Sequence, residues 1–215
     1  MGRRYLVVLV VFCFGCGPNI PIAYYISPSC ATKSEELEAI RNGVEEWDKA
    51  TCAEVTVYKG VSDDKSFNMS DLIDEQFTVY CVDDKNRDVN VLTKNLGYDF
   101  AAISIGDIII KRGEVTRWAW GKYYKTTKDK KSYPFTSVPD EYYYTLLKTI
   151  ATHEFGHQLG RNEATGAIIS VMHPNMMLAA TEPSLFDIYG SPGIGGLCDF
   201  IDCPPRDQCP TRPTK

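Results

Sequence analysis

Histidine is scarce in this chain, with three among 215 residues. Any site built on imidazole must therefore draw on His153, His157 or His173. A surplus of positive charge is also missing. The formal charge is -5 with histidines neutral, and -7 without Arg3 and Arg4. Nothing in that balance suggests a general nucleic-acid binder. The apolar run Tyr5 to Phe14 is too short to span a bilayer comfortably as a helix. No internal repeat is visible, so a stacked-repeat architecture is not expected. The tail "CDFIDCPPRDQCP", 198 to 210, has no CxxC spacing and no histidine nearby. A zinc site there is not expected.

What is present begins with 44% hydrophobic content, enough for one core and hardly for two ordinary domains. Arg3 and Arg4 precede the apolar run, the pattern of a secretion signal over residues 1 to 15. "CFGC", Cys13 to Cys16, resembles a bacterial lipoprotein box. Cys16 would then become the lipidated first residue and attach the chain to a membrane; ordinary secretion is the rival route. Beyond the signal lie Cys30, Cys52, Cys81, Cys198, Cys203 and Cys209. An even number in an exported chain points to disulfides. Three of them crowd the Cys- and Pro-rich tail, 196 to 215, so at least one must reach further back if all are oxidised. "KYYKTTKDKK", 122 to 131, reads as a solvated basic loop.

Periodicity gives an α+β chain. "IPIAYYIS", 20 to 27, reads as a first strand. Thr32 and Glu35 are placed for a capping box. Leu37, Ile40, Val44 and Trp47 then recur at helical spacing up to about Thr51. "AEVTVYKG", "QFTVYCVD", "DFAAISIG" and "DIIIKRG" read as further strands. "EVTRWAWGKYY", 114 to 124, reads as a last one. Ser137, Pro139 and Asp140 look like a helix start. The helix predicted from them runs from about Pro139 to Leu159, and Gly160 is placed to end it in a left-handed conformation. A short turn is expected around "PSLFDIYG".

That second helix carries "HEFGHQLGRNE", 153 to 163. His153 and His157 are four apart, so on a helix they face the same way and can bind one metal ion. Neutral imidazole suits zinc. Glu154 is placed to take a proton from an attacking water and pass it to the leaving amine. Two imidazoles are not enough, because catalytic zinc sites normally take three protein ligands. Gly160 would turn the chain so that Glu163 comes round to the same ion. His173 is the alternate third ligand, and Asp187 and Glu182 are remoter candidates. Met172 near the site could simply fill space, as could Met176 and Met177.

The segment resembles the metzincin clan of zinc endopeptidases, and most its matrixin-type members. Their pattern is HExxHxxGxxH followed by a turn with a methionine under the zinc. Here it reads His153, Glu154, His157, Gly160, then Glu163 in place of the third histidine. "SVMHP", 170 to 174, looks like the methionine turn, with Met172 packed below the ion and His173 part of the turn. "ISIGDIIIK" ahead of the helix and "SLFDIYG" after it extend the likeness over most of residues 20 to 190. The resemblance implies a catalytic domain over residues 20 to 195. Its fold would be a twisted mixed sheet with a backing helix and an active-site helix. It further implies one catalytic zinc ion, with calcium a second cofactor to which no residues are assigned. The substrate would be a peptide or protein lying along a sheet edge near Ala101 to Ile105. The segment "HPNMMLAATEPS", 173 to 184, would wall the pocket beyond the cleaved bond. Glutamate adds a methylene and a charge to the metal site, and no cysteine-bearing inhibitory segment precedes the first strand. The expected activity is a zinc-dependent endopeptidase, with Glu154 as general base. The alternative is a catalytically inactive module of the same build that binds peptide or protein. A disulfide-stapled structural lipoprotein whose histidines never meet metal is the third reading.

Overall fold

The computed structural model describes residues 20–70, 76–97, 100–126, 138–164, 170–174, 180–191, 194–205 and 208–209. The expected signal, the lipidation site Cys16, Ser137, Met176 and Met177 lie outside them.

Five strands form one mixed sheet: β1 (Ile22–Ile26), β2 (Thr56–Val61), β3 (Thr78–Val82), β4 (Ala102–Ile105) and β5 (Asp107–Lys111). Their order is β2-β1-β3-β5-β4. β1 runs parallel to β2 and β3, β3 runs parallel to β5, and β4 is antiparallel to β5. All residues of β3 are buried, as a continuous "TVYCV" run covered on both faces requires.

One face is covered by α1 (Ser34–Thr51) and α4 (Asp140–Gln158). Ile40, Val44 and Trp47 of α1 meet Leu146, Leu147, Ile150 and Phe155 of α4 in the main core. The two backbones approach closely at Gly43, where a Cβ would lie 2.4 Å from the Lys148 carbonyl oxygen. Trp47 Nε1 donates to the Thr152 carbonyl at 2.8 Å, and Thr152 Oγ1 donates to the Gly43 carbonyl at 2.8 Å. The expected Thr32–Glu35 capping box does not form. Lys33 is the N-cap, without a side-chain bond. Thr32 Oγ1 instead donates to Glu36 at 2.7 Å. Glu36 is a buried carboxylate gripped by Arg112 and Tyr143, and Thr32 Oγ1 in turn accepts from Arg112 Nη2 at 3.2 Å, so its lone pairs serve the guanidinium rather than a helix N–H.

Two helices were not expected from periodicity. α2 (Arg87–Leu96) is capped by the Asn86 side chain, which accepts from Val89 N, and is ended by Gly97 at φ 74°. Its Val89 and Leu92 pack on Phe67, Tyr80, Val82, Phe100 and Ile109, forming a second core on the other face of the sheet. The segment 114 to 124, read as a strand, is instead part of α3 (Arg112–Thr126). β5 is already paired on both sides, by β3 and β4, so a following strand has no place beside it. Val115 and Ala119 then bury themselves in the main core as one helical stripe.

Beyond α4 the described chain forms α5 (Leu185–Tyr189) and a small hairpin, β6 (Gly190–Ser191) with β7 (Ile194–Gly195). The cysteines pair as Cys30–Cys81, Cys52–Cys209 and Cys198–Cys203. One tail cysteine thus reaches back as expected, to the end of α1. No helix among the described residues is long and apolar enough to cross a membrane.

Candidate metal centre

The last turns of α4 present His153 and His157 on one face, with ring centroids 4.9 Å apart. Each imidazole is oriented by a main-chain carbonyl. His153 Nδ1 lies 2.8 Å from the Val171 oxygen, and His157 Nδ1 lies 2.8 Å from the Arg161 oxygen. A carbonyl can only accept, so each Nδ1 carries the hydrogen. That leaves each Nε2 as the atom with a lone pair to offer.

Glu163 faces both Nε2 atoms. α4 ends at Gln158, and Gly160 takes φ +79° with open space where a Cβ would stand. Its backbone conformation, rather than crowding, therefore requires glycine. Arg161 N then bonds back to the Gly156 carbonyl at 2.8 Å, and the chain reverses. Glu163 Oε1 arrives 3.4 Å from His153 Nε2 and 3.6 Å from His157 Nε2. Donors about 2.0–2.1 Å from a shared tetrahedral zinc ion lie about 3.3 Å from one another. The two carboxylate contacts are close to that edge, while the three donors as a set lie within 4.8 Å of one another, a looser spread. Two imidazoles and one carboxylate are a donor set that zinc accepts. Among the described residues no second such cluster is placed for calcium.

The electrostatics favour a cation at this point. Burial tends to raise the Glu163 carboxyl, but His153 and His157 in their protonated forms, with Nε2–H turned toward it, overcome burial and bring it down to about 2. Burial tends to lower His153, yet the bond to Glu163 and the charges of Glu154 and Glu163 hold it above its ordinary range. A proton and a metal ion compete for the same Nε2 atoms. Glu154 is buried beside this set, and burial raises its carboxyl against the opposing pull of His153 and His157.

Met172 is fully buried. A Cβ on Gly156, between the two histidines, would lie 2.3 Å from Met172 Sδ and 2.8 Å from Trp47 Cζ2. The thioether thus closes the underside of the helix. Ala164 N donates to the Met172 carbonyl at 2.7 Å, joining the Glu163 loop to the methionine turn.

The other candidate ligands stand elsewhere. His173 is outside the three-donor cluster. Glu182 lies 4.0 Å from Lys148 Nζ. Asp187 is buried beneath the methionine turn, where it accepts from Ser170 Oγ, from Val171 N at 3.1 Å and from Ser184 N at 2.8 Å. Its anchoring position was not visible in sequence, although Ser184 followed three residues later by an acid is a helix-start pattern. Arg161, also unremarked in sequence, is buried and donates from a guanidinium nitrogen to the Gly195 carbonyl, tying the loop that carries Glu163 to the β6–β7 pair. Comparison of the chain with protein-family models, curated proteins and solved structures gives no match.

Proposed function

We propose that this chain is an exported zinc-dependent endopeptidase of metzincin-like build. The observation that carries the reading is Glu163, whose carboxylate reaches both Nε2 atoms, at 3.4 and 3.6 Å, with both Nδ1 atoms already engaged by carbonyls. His153, His157 and Glu163 would hold the ion. A zinc ion there would polarise a scissile carbonyl and acidify water. Glu154 takes the proton of the attacking water and returns it to the leaving nitrogen. Its burial favours the protonated form that the second transfer needs.

Supporting features lie around the site. Met172 packs against Gly156, the residue before His157, which suits the place that the resemblance gives the methionine. Three disulfides suit an oxidising, extracytoplasmic setting, whether the chain is freely secreted or held through Cys16. β4 is an edge strand. Lys111 N donates to the Ala101 carbonyl at 2.8 Å, which makes 101 and 111 a hydrogen-bonded pair. By antiparallel alternation, the main-chain groups of Ala102 and Ser104 turn to the open side. An extended peptide would pair there by strand addition.

The test is zinc content and peptide hydrolysis in parallel. The wild-type chain should hold one zinc and cut peptides. Glu163→Ala should hold zinc clearly more weakly. Glu154→Gln should keep zinc and lose hydrolysis, and unchanged cleavage by that variant would sink the mechanism. Zinc without hydrolysis in the wild type would point instead to the peptide-binding module. No zinc in any form, after refolding with metal and intact disulfides, would leave the structural reading.

A further inference from the structure

One contact joins the metal-binding helix directly to the edge strand. Gln158 is the last residue of α4 and follows His157. Its side-chain Nε2 donates to Ser104 Oγ on β4. Ser104 is also one of the two residues whose main-chain N–H and C=O face the open edge. The side-chain alternation of β4 agrees with this placement. Ala102 packs in the core shared with α4, whereas Ile103 and Ile105 pack in the second core on the opposite face. Ser104 therefore points its hydroxyl at the helix while presenting its backbone to whatever adds to the sheet.

Register makes this contact consequential. A peptide sliding by one residue along β4 moves about 3.3–3.4 Å and turns every side chain to the other face. A reacting carbonyl must arrive about 3–3.5 Å from its nucleophile. One step of slippage thus brings the wrong bond to the site or none. A shift of the strand itself relative to the histidines misplaces the carbonyl of a correctly paired peptide in the same way, and the Gln158–Ser104 bond opposes that shift.

Building on the endopeptidase reading, we infer that Gln158 and Ser104 are a positioning pair. They lock the substrate-pairing strand to the metal-binding helix and so determine which peptide bond is cut. Neither side chain takes part in the bond-breaking step.

The experiment uses the zinc-loaded full chain and oxidised insulin B chain, with products mapped by mass spectrometry. Gln158→Ala and Ser104→Ala should each keep the wild-type zinc stoichiometry. Each should cut at additional bonds next to the wild-type site. kcat/KM should fall about five- to tenfold, mainly through KM, the size expected for one lost hydrogen bond. The double variant should be no worse than either single one, and Ser104→Thr, which keeps the hydroxyl, should cut like wild type. A wild-type product pattern with unchanged kcat/KM in both alanine variants would overturn the pair, and so would losses that multiply in the double variant. Affinity for the same peptide, fluorescently labelled, is measured in the Glu154→Gln background with and without Gln158→Ala. If the wild type cuts nothing but Gln158→Ala still weakens this affinity, the enzyme reading alone fails. Equal affinity in the two overturns the pair itself.

Discussion

Replacing Asp187 with alanine should damage both the fold and the proposed metal centre, although its carboxylate is engaged away from the histidines. The side chain is completely buried. It accepts from Ser170 Oγ, Val171 N, Ser184 N and Ser184 Oγ. The two hydroxyls can rotate toward other acceptors, but the two backbone N–H groups cannot. Each buried donor left without a partner costs about 1–3 kcal/mol. Arg161 also loses a compensating neighbour, since the Asp187 charge opposes the downward pull of burial on that guanidinium. We expect a total loss of about 3–5 kcal/mol. Asp187→Asn keeps one acceptor oxygen and should lose about half as much. Urea unfolding of the metal-free chain, followed by tryptophan fluorescence, measures this. The second readout is zinc. Val171 N–H is held by Asp187, and the Val171 carbonyl orients His153. A loosened turn frees that imidazole to rotate, and losing such an orienting partner typically weakens metal affinity about 10- to 100-fold. A stability change under about 1 kcal/mol together with unchanged zinc affinity would refute the account of this turn.

Gly156→Ala should destabilise by about 1–2 kcal/mol net, because overpacking of about 2–3 kcal/mol against Met172 and Trp47 outweighs the gain of about 1 kcal/mol in helix propensity. A melting temperature equal to wild type would mean that the thioether does not pack there. Glu36 governs part of the acid response. Burial tends to raise its carboxyl, but Arg112, Thr32 and Tyr143 together hold it below its ordinary 4.5. Its folded pKa lies under the unfolded one, so its stabilisation is complete above about 4.5 and is lost as pH falls through the lower folded value. Glu36→Gln should therefore shrink the stability difference between neutral and acidic solution, read from urea midpoints across pH.

The candidate site was largely legible because its geometry is local. A helix puts residues four apart on one face, a glycine reverses the chain, and Glu163 follows three residues later. None of this needs distant information. The ring orientations did, since they depend on the Val171 and Arg161 carbonyls, and Val171 is held from α5. The strands were legible from apolar runs, but their order was not, because parallel pairing joins segments far apart in sequence. α2 escaped notice although Asn86 and Gly97 mark its ends and Val89, Leu92 and Leu96 form its apolar stripe, because that stripe spans little more than two turns. α3 misled because Val115, Trp118, Tyr123 and Tyr124 favour strand locally, while both edges of β5 were already taken. Thr32 misled because its partner, Glu36, is fixed by Arg112 from 76 residues away.

The bond between Cys52 and Cys209 encloses the proposed site, from Ser104 to Met172, in one covalent ring whose ends are 157 positions apart in sequence. A cut anywhere inside that ring opens the loop without releasing a fragment. A chain nicked by itself or by a neighbour would migrate as one species until a reductant is added. The same ring keeps the helix carrying His153 and His157 tethered on both sides of such a nick. Damage to a surface loop then need not separate His153, His157 and Glu163 from the strand β4.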